Sequence, residues 1–105
     1  MGVFFYIPNM RISDFEIDAI VNAIVACDSE AKIWLFGSRT DNSKKGGDID
    51  IGVLSKKIDL MTKLRIRRNI CEKIGEQKID LVVSKAGETA FFKYAVMEEG
   101  VALYG

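Results

Sequence analysis

Apolar positions along the chain alternate between two spacings, and the alternation predicts its elements. Ile17, Ile20, Val21 and Ile24 stand three and four residues apart, the spacing that lines one face of a helix. Ser13 precedes them with Glu16 three residues on, a capping-box pattern, so residues 14–27 read as an amphipathic helix. The apolar run 31–36 predicts a core strand that ends in Gly37-Ser38, a turn that opens a short helix or helical loop. A polar loop carrying Lys44, Lys45 and Gly46-Gly47 leads into DIDIGV, a predicted strand over 48–54. Side chains on a strand alternate faces, so Asp48 and Asp50 share one side while Ile49, Ile51 and Val53 share the other. Residues 58–74 predict a second long helix with an apolar face of Leu60, Leu64, Ile70, Cys71 and Ile74. Arg67 falls within that stripe, where it snorkels to the surface or pairs with an acid, or else reaches the cleft or a partner surface. A third strand is expected over 78–83, with Ile79, Leu81 and Val83 on one face and Asp80 and Val82 on the other. Gly87 precedes a third helix over 88–99, whose aromatics Phe91 and Phe92 read as core rather than as a base-stacking platform. Gly100 is placed to cap it, and 101–104 form a last short strand. The apolar stretch 2–7 is an edge strand or an arm that docks on a partner.

At 105 residues the chain fits one domain with a modest core. Its 15 basic and 15 acidic residues cancel, so no broad field draws in a nucleic-acid backbone. That disfavours a processive polymerase on extended nucleic acid and favours a small or protein acceptor. VFFYI near the start lacks a basic leader and stops at Pro8, which is not a signal peptide, and no run reaches membrane-spanning length. Cys27 and Cys71 lie far apart without metal-ligand spacing and read as reduced thiols of a cytoplasmic protein. With no histidine in the chain, Ser/His and Cys/His nucleophile pairs are excluded.

The chemistry concentrates in WLFGSRTDNSKKGGDIDIGV, residues 34–53. Two carboxylates side by side, Asp48 and Asp50, repel each other unless a cation lies between them, and their oxygens suit magnesium or manganese. Glycine at Gly37 lets the backbone approach a phosphate, and the Ser38 hydroxyl and nearby amides can donate to its oxygens. Gly-Ser, a spacer and Asp-x-Asp together resemble the nucleotidyltransferase signature of the polymerase-beta-like superfamily. Nine residues separate Ser38 from Asp48, one fewer than the commonest form, a difference a loop absorbs cheaply. The resemblance runs from about Ser13 to Tyr104 and is closest to the minimal nucleotidyltransferases (MNT), often the antitoxin half of MNT/HEPN pairs.

The resemblance implies one minimal nucleotidyltransferase domain over 1–105, an α/β (α+β) fold with a small mixed sheet, helices packed on one face and an acidic site at the sheet's edge. It implies a third carboxylate on the next strand, the slot Asp80 fits, acting as general base or as a further metal ligand. Asp48, Asp50 and Asp80 would be the catalytic and metal-holding set, with Mg2+ or Mn2+ and ATP or another NTP. Gly37, Ser38 and Arg39 would grip the phosphates. The acceptor would be a hydroxyl, such as a tyrosine on a HEPN-type toxin, with a homo-oligomer as another possible partner. Two other readings stay open: an antitoxin that acts by contact alone, and nucleotidyl transfer to a small molecule.

Overall fold

A computed structural model describes residues 12–37 and 49–105. The expected elements over 2–7 and the residues Ser38, Arg39 and Asp48 lie outside that range. In chain order the elements are α1 (Asp14–Val25), β1 (Lys32–Phe36), β2 (Ile49–Leu54), α2 (Leu60–Ile74), β3 (Ile79–Ser84), a third helix α3 (Phe91–Glu98) wound as a π-helix, and β4 (Val101–Tyr104).

The start of α1 follows from its cap. The Ser13 backbone N–H donates to Glu16 Oε1 at 2.9 Å, and the Glu16 N–H donates back to Ser13 Oγ at 3.2 Å. Two otherwise orphaned donors are thereby satisfied. Its buried face is Ile17, Ile20, Val21 and Ile24, as the spacing requires. Helix α2 begins two residues later than its apolar pattern suggests, because Asp59 takes the N-cap and accepts the Thr62 N–H at 2.9 Å. Ile58 stays outside the helix but is buried.

The face of α2 is rotated from the expected one. Ile66 and Ile70 are its buried residues, with Cys71 and Ile74 partly buried, whereas Leu60 and Leu64 are 68% and 49% exposed. A stripe through positions 66, 70 and 74 holds four-residue spacing down the helix, so Leu60 and Leu64 fall to one side of it. Arg67, one position beyond Ile66, is exposed beside the stripe rather than within it.

The four strands form one mixed sheet in the order β3-β2-β1-β4. β1 runs antiparallel to β2 and β4, while β2 and β3 are parallel, joined by the α2 crossover. Alternation along β1 divides the core between two faces. Ile33 and Leu35 join Ile49, Ile51, Val53, Ile79 and Leu81 beneath α1 and α2. Trp34 and Phe36 point the other way, to Phe92 and Val96 of α3. The two long helices therefore share one face, as expected, and the short third helix adds cover to the opposite one.

α3 sits close to the sheet because Gly52 lacks a side chain: a Cβ there would collide with Val96 Cγ1. Trp34 and Phe92 lock the contact edge to face, with ring centroids 5.8 Å apart. The helix starts on Thr89, whose Oγ1 accepts the Phe92 N–H at 3.2 Å. It closes with the Glu99 N–H on Tyr94 O, five residues back, at 3.1 Å and the Gly100 N–H on Val96 O at 3.0 Å. Gly100 does this without a left-handed φ. A Cβ on it would meet Val96 O and, at 2.9 Å, Leu35 O, so close approach explains the glycine.

The end of β2 is tied to the end of α1 by a buried polar pair. Ser55 Oγ donates to Asp28 Oδ2 at 2.6 Å, the Glu30 N–H donates to Asp28 Oδ1 at 3.0 Å, and Ser55 Oγ accepts the Lys57 N–H at 3.1 Å. The Ser55 hydroxyl, more than any other partner, holds the Asp28 carboxyl below its ordinary pKa. Ser55→Ala should cost about 1–3 kcal/mol in chemical denaturation at neutral pH, because buried polar groups lose their partners. A carboxyl held low in the folded state contributes stability that is present above its unfolded pKa and lost as pH falls through the folded one. The gap between wild type and Ser55→Ala should therefore stay constant above about pH 5 and narrow below about pH 4.

Candidate functional site

Strand register brings the sequence-predicted acids on β2 and β3 together. In the parallel β2–β3 pair, Asp50 stands opposite Asp80. In the antiparallel β1–β2 pair, Phe36 stands opposite Asp50. Directly opposed residues project to the same side of a sheet, so Asp80, Asp50 and Phe36 form one row across three strands. Trp34, Gly52 and Val82 form the next row, which α3 covers. The acid row thus lies on the α3 face, with its Phe36 end in the cluster of Phe92 and Val96. Asp50 is half-buried and Asp80 exposed.

Gly37 closes the row on the β1 side. Its φ of +80° belongs to the left-handed region, which glycine enters without the usual penalty. A Cβ at this position would run into Asp50 Oδ2. The glycine of the Gly-Ser pair and the second acid of Asp-x-Asp, thirteen positions apart in sequence, are therefore in direct apposition. A backbone with no side chain lies against a carboxylate oxygen, with a second carboxylate in register on the adjacent strand. That arrangement suits a hard divalent cation and the phosphate oxygens it carries. Among the described residues no group of three or more metal-ligating side chains comes together, and the remaining acid of the motif, Asp48, lies outside them together with Ser38 and Arg39.

Other features lie elsewhere. A groove of ≈ 500 Å³ between α1 and α2, lined by Phe15, Asn22, Asn69 and Lys73 among others, is on the opposite face of the sheet. Arg67 and Arg68 border a second groove of ≈ 320 Å³ with Leu64, Cys71, Glu76 and Gln77, which includes no residue of the acid row. Cys27 and Cys71 are free thiols. No helix among the described residues is long and apolar enough to cross a membrane.

The pattern of residues alone did not point to Phe36 or Phe91. The two rings meet edge to face, 5.7 Å apart at 80°, and Phe91 is 52% exposed while Phe92 is buried. The expectation that both aromatics of α3 are core therefore holds for Phe92 and fails for Phe91. Adjacent positions on a helix point in different directions, and only one of them can face Trp34. The signal for Phe36 is its place directly before Gly37, but its pairing with Asp50 depends on β1 and β2 being antiparallel neighbours.

Gly37→Ala should destabilise the fold by at least about 1–2 kcal/mol, from the left-handed φ alone. In a double-mutant cycle with Asp50→Ala, which removes the opposing oxygen, the combined cost should be smaller than the sum of the single costs. Additive costs would mean that the Gly37–Asp50 apposition carries no weight.

A search among curated proteins finds no match for the chain. The family described as polymerase beta, nucleotidyltransferase does match it, over residues 20–105. That span takes in the second half of α1, the whole of α2 and α3, all four strands and the entire acid row, and the chain belongs to the polymerase beta nucleotidyltransferase family.

Proposed function

We propose that the chain is a metal-dependent nucleotidyltransferase that moves a nucleoside monophosphate, AMP from ATP, onto a hydroxyl. The observation that carries this reading is the register of Asp50 with Asp80 beside Gly37, in a chain of a nucleotidyltransferase family. Asp48, Asp50 and Asp80 would hold the divalent metal, Mg2+ or Mn2+, which when bound neutralises charge on the triphosphate. Gly37 offers a bare backbone to the phosphates, Ser38 its hydroxyl and Arg39 a charge-assisted contact. The acceptor oxygen attacks the α-phosphorus, the bond from that phosphorus to the bridging oxygen breaks, and pyrophosphate leaves. Asp80, the exposed member of the row, takes the proton from the attacking hydroxyl.

The likeness to minimal nucleotidyltransferases supports a hydroxyl on a partner protein, such as a tyrosine on a HEPN-type toxin, as the acceptor. Two free thiols fit a reducing compartment, the cytoplasm.

Calorimetric titration of ATP with magnesium tests the nucleotide site without needing an acceptor. Wild type should bind only with the metal present, and Asp50→Asn and Asp80→Asn should each weaken binding by about tenfold or more, as loss of a charged ligand predicts. Binding that both variants retain would remove the acids from the site. The acceptor is tested by mass spectrometry of a co-expressed HEPN partner, which should gain one adenylate per modified tyrosine. A partner that is neutralised equally well by the Asp50→Asn protein, and unmodified, would instead favour inhibition by contact.

A further inference from the structure

Phe91 is a large aromatic residue held in the open. It is 52% exposed, yet its ring is fixed by the edge-to-face contact with Phe36, which is itself buried. An exposed phenylalanine on a helix ordinarily has no reason to keep one orientation. This one is seated on a residue whose own position is set by strand pairing with Asp50. The order across the face is therefore Asp80, Asp50, Phe36, with Phe91 lying against the last. The other exposed large apolar residues of α3 are not placed this way. Met97 borders Gly87 beside Leu54, at the far end of β2 from Asp50, and Tyr94 has no ring contact with the acid row among those observed.

We propose that Phe91, braced by Phe36 beside the Asp50–Asp80 row, is the surface on which the base of the bound nucleotide stacks. The inference rests on the nucleotide reading of the acid row and adds to it where the base goes. A nucleoside triphosphate whose phosphates lie at the acids and at Gly37 must extend its sugar and base away from them. Along the row toward β1, the next side chains met are Phe36 and Phe91. A phenyl face suits any base, because each has a π-surface, and it makes no hydrogen bond that reads base identity. The chain should therefore hold purine triphosphates more tightly than pyrimidine ones through ring size, while discriminating weakly between ATP and GTP.

The test is calorimetry on the full chain with two probes, magnesium ATP and magnesium tripolyphosphate, using wild type, Phe91→Ala and Phe91→Trp. Loss of one base–aromatic stack corresponds to a loss of about 5- to 160-fold in ATP affinity for Phe91→Ala. Tripolyphosphate affinity should be unchanged, because it has no base, and Phe91→Trp should restore or exceed wild-type ATP binding. ATP binding unaltered by Phe91→Ala would overturn the assignment. So would an equal loss for both probes, which would assign Phe91 a structural role. Wild type binding tripolyphosphate and ATP equally well would also reject a base contact while leaving the phosphate site intact. Wild type binding neither would sink the nucleotide reading itself, and this assignment with it.

Discussion

Strand β2 is bonded on both sides, antiparallel to β1 and parallel to β3, and the placement of every described residue at the site depends on those two registers. Asp50 and Asp80 share a side of the sheet through the apolar residues that flank them. They stand opposite each other because Ile49, Ile51 and Val53 are drawn to the same buried face as Ile79 and Leu81. With a side-chain period of two, that hydrophobic demand fixes which residues point the other way. The apolar face under α1 and α2 aligns the polar face it never touches.

The opposite face is organised by absence of bulk as much as by contact. Gly52 lets Val96 come down on the sheet, Phe92 meets Trp34, and α3 meets the acid row at Phe36. The π winding of this helix suits a segment that must fit between a fixed seat at Trp34 and the close passage of Gly100 past Leu35. Such windings are uncommon and recur near functional sites. At the other end of β2, the Asp28–Ser55 bond secures the chain where it turns toward α2. The strand is thus held at one end by a buried polar link and carries Asp50 near the other.

Much of this architecture can be read from spacing. The capping box at Ser13 and Glu16, the four apolar positions of α1 and the alternation from Ile49 to Val53 each carry a local physical signal, and each reappears in the structure. The acid row was legible only in part. Asp50 follows from alternation, but Asp80 needed the family resemblance, since one aspartate in an apolar strand has many ordinary uses. What the pattern could not show was tertiary. Leu60 and Leu64 match a helical stripe as well as Ile66 does, and only packing decides which stripe is buried. Phe91 and Phe92 are indistinguishable by composition and differ wholly in surroundings. Asp28 and Ser55, far apart in sequence, gave no sign that each is the other's partner.

The register of β3 has an evolutionary consequence. Asp80 obtains its side of the sheet from register, and that register follows its apolar neighbours Ile79 and Leu81. Inserting one residue between Ile79 and Asp80 would turn the aspartate toward the apolar layer beneath α2 or pull Leu81 out of that layer. Such a change would disable the row without altering any residue in it. The outer surface of α2 carries no such burden, and Arg65, Arg67 and Arg68 lie exposed along it. Substitutions on the outer surface of α2 therefore leave the row as it is, whereas one extra residue within β3 breaks it.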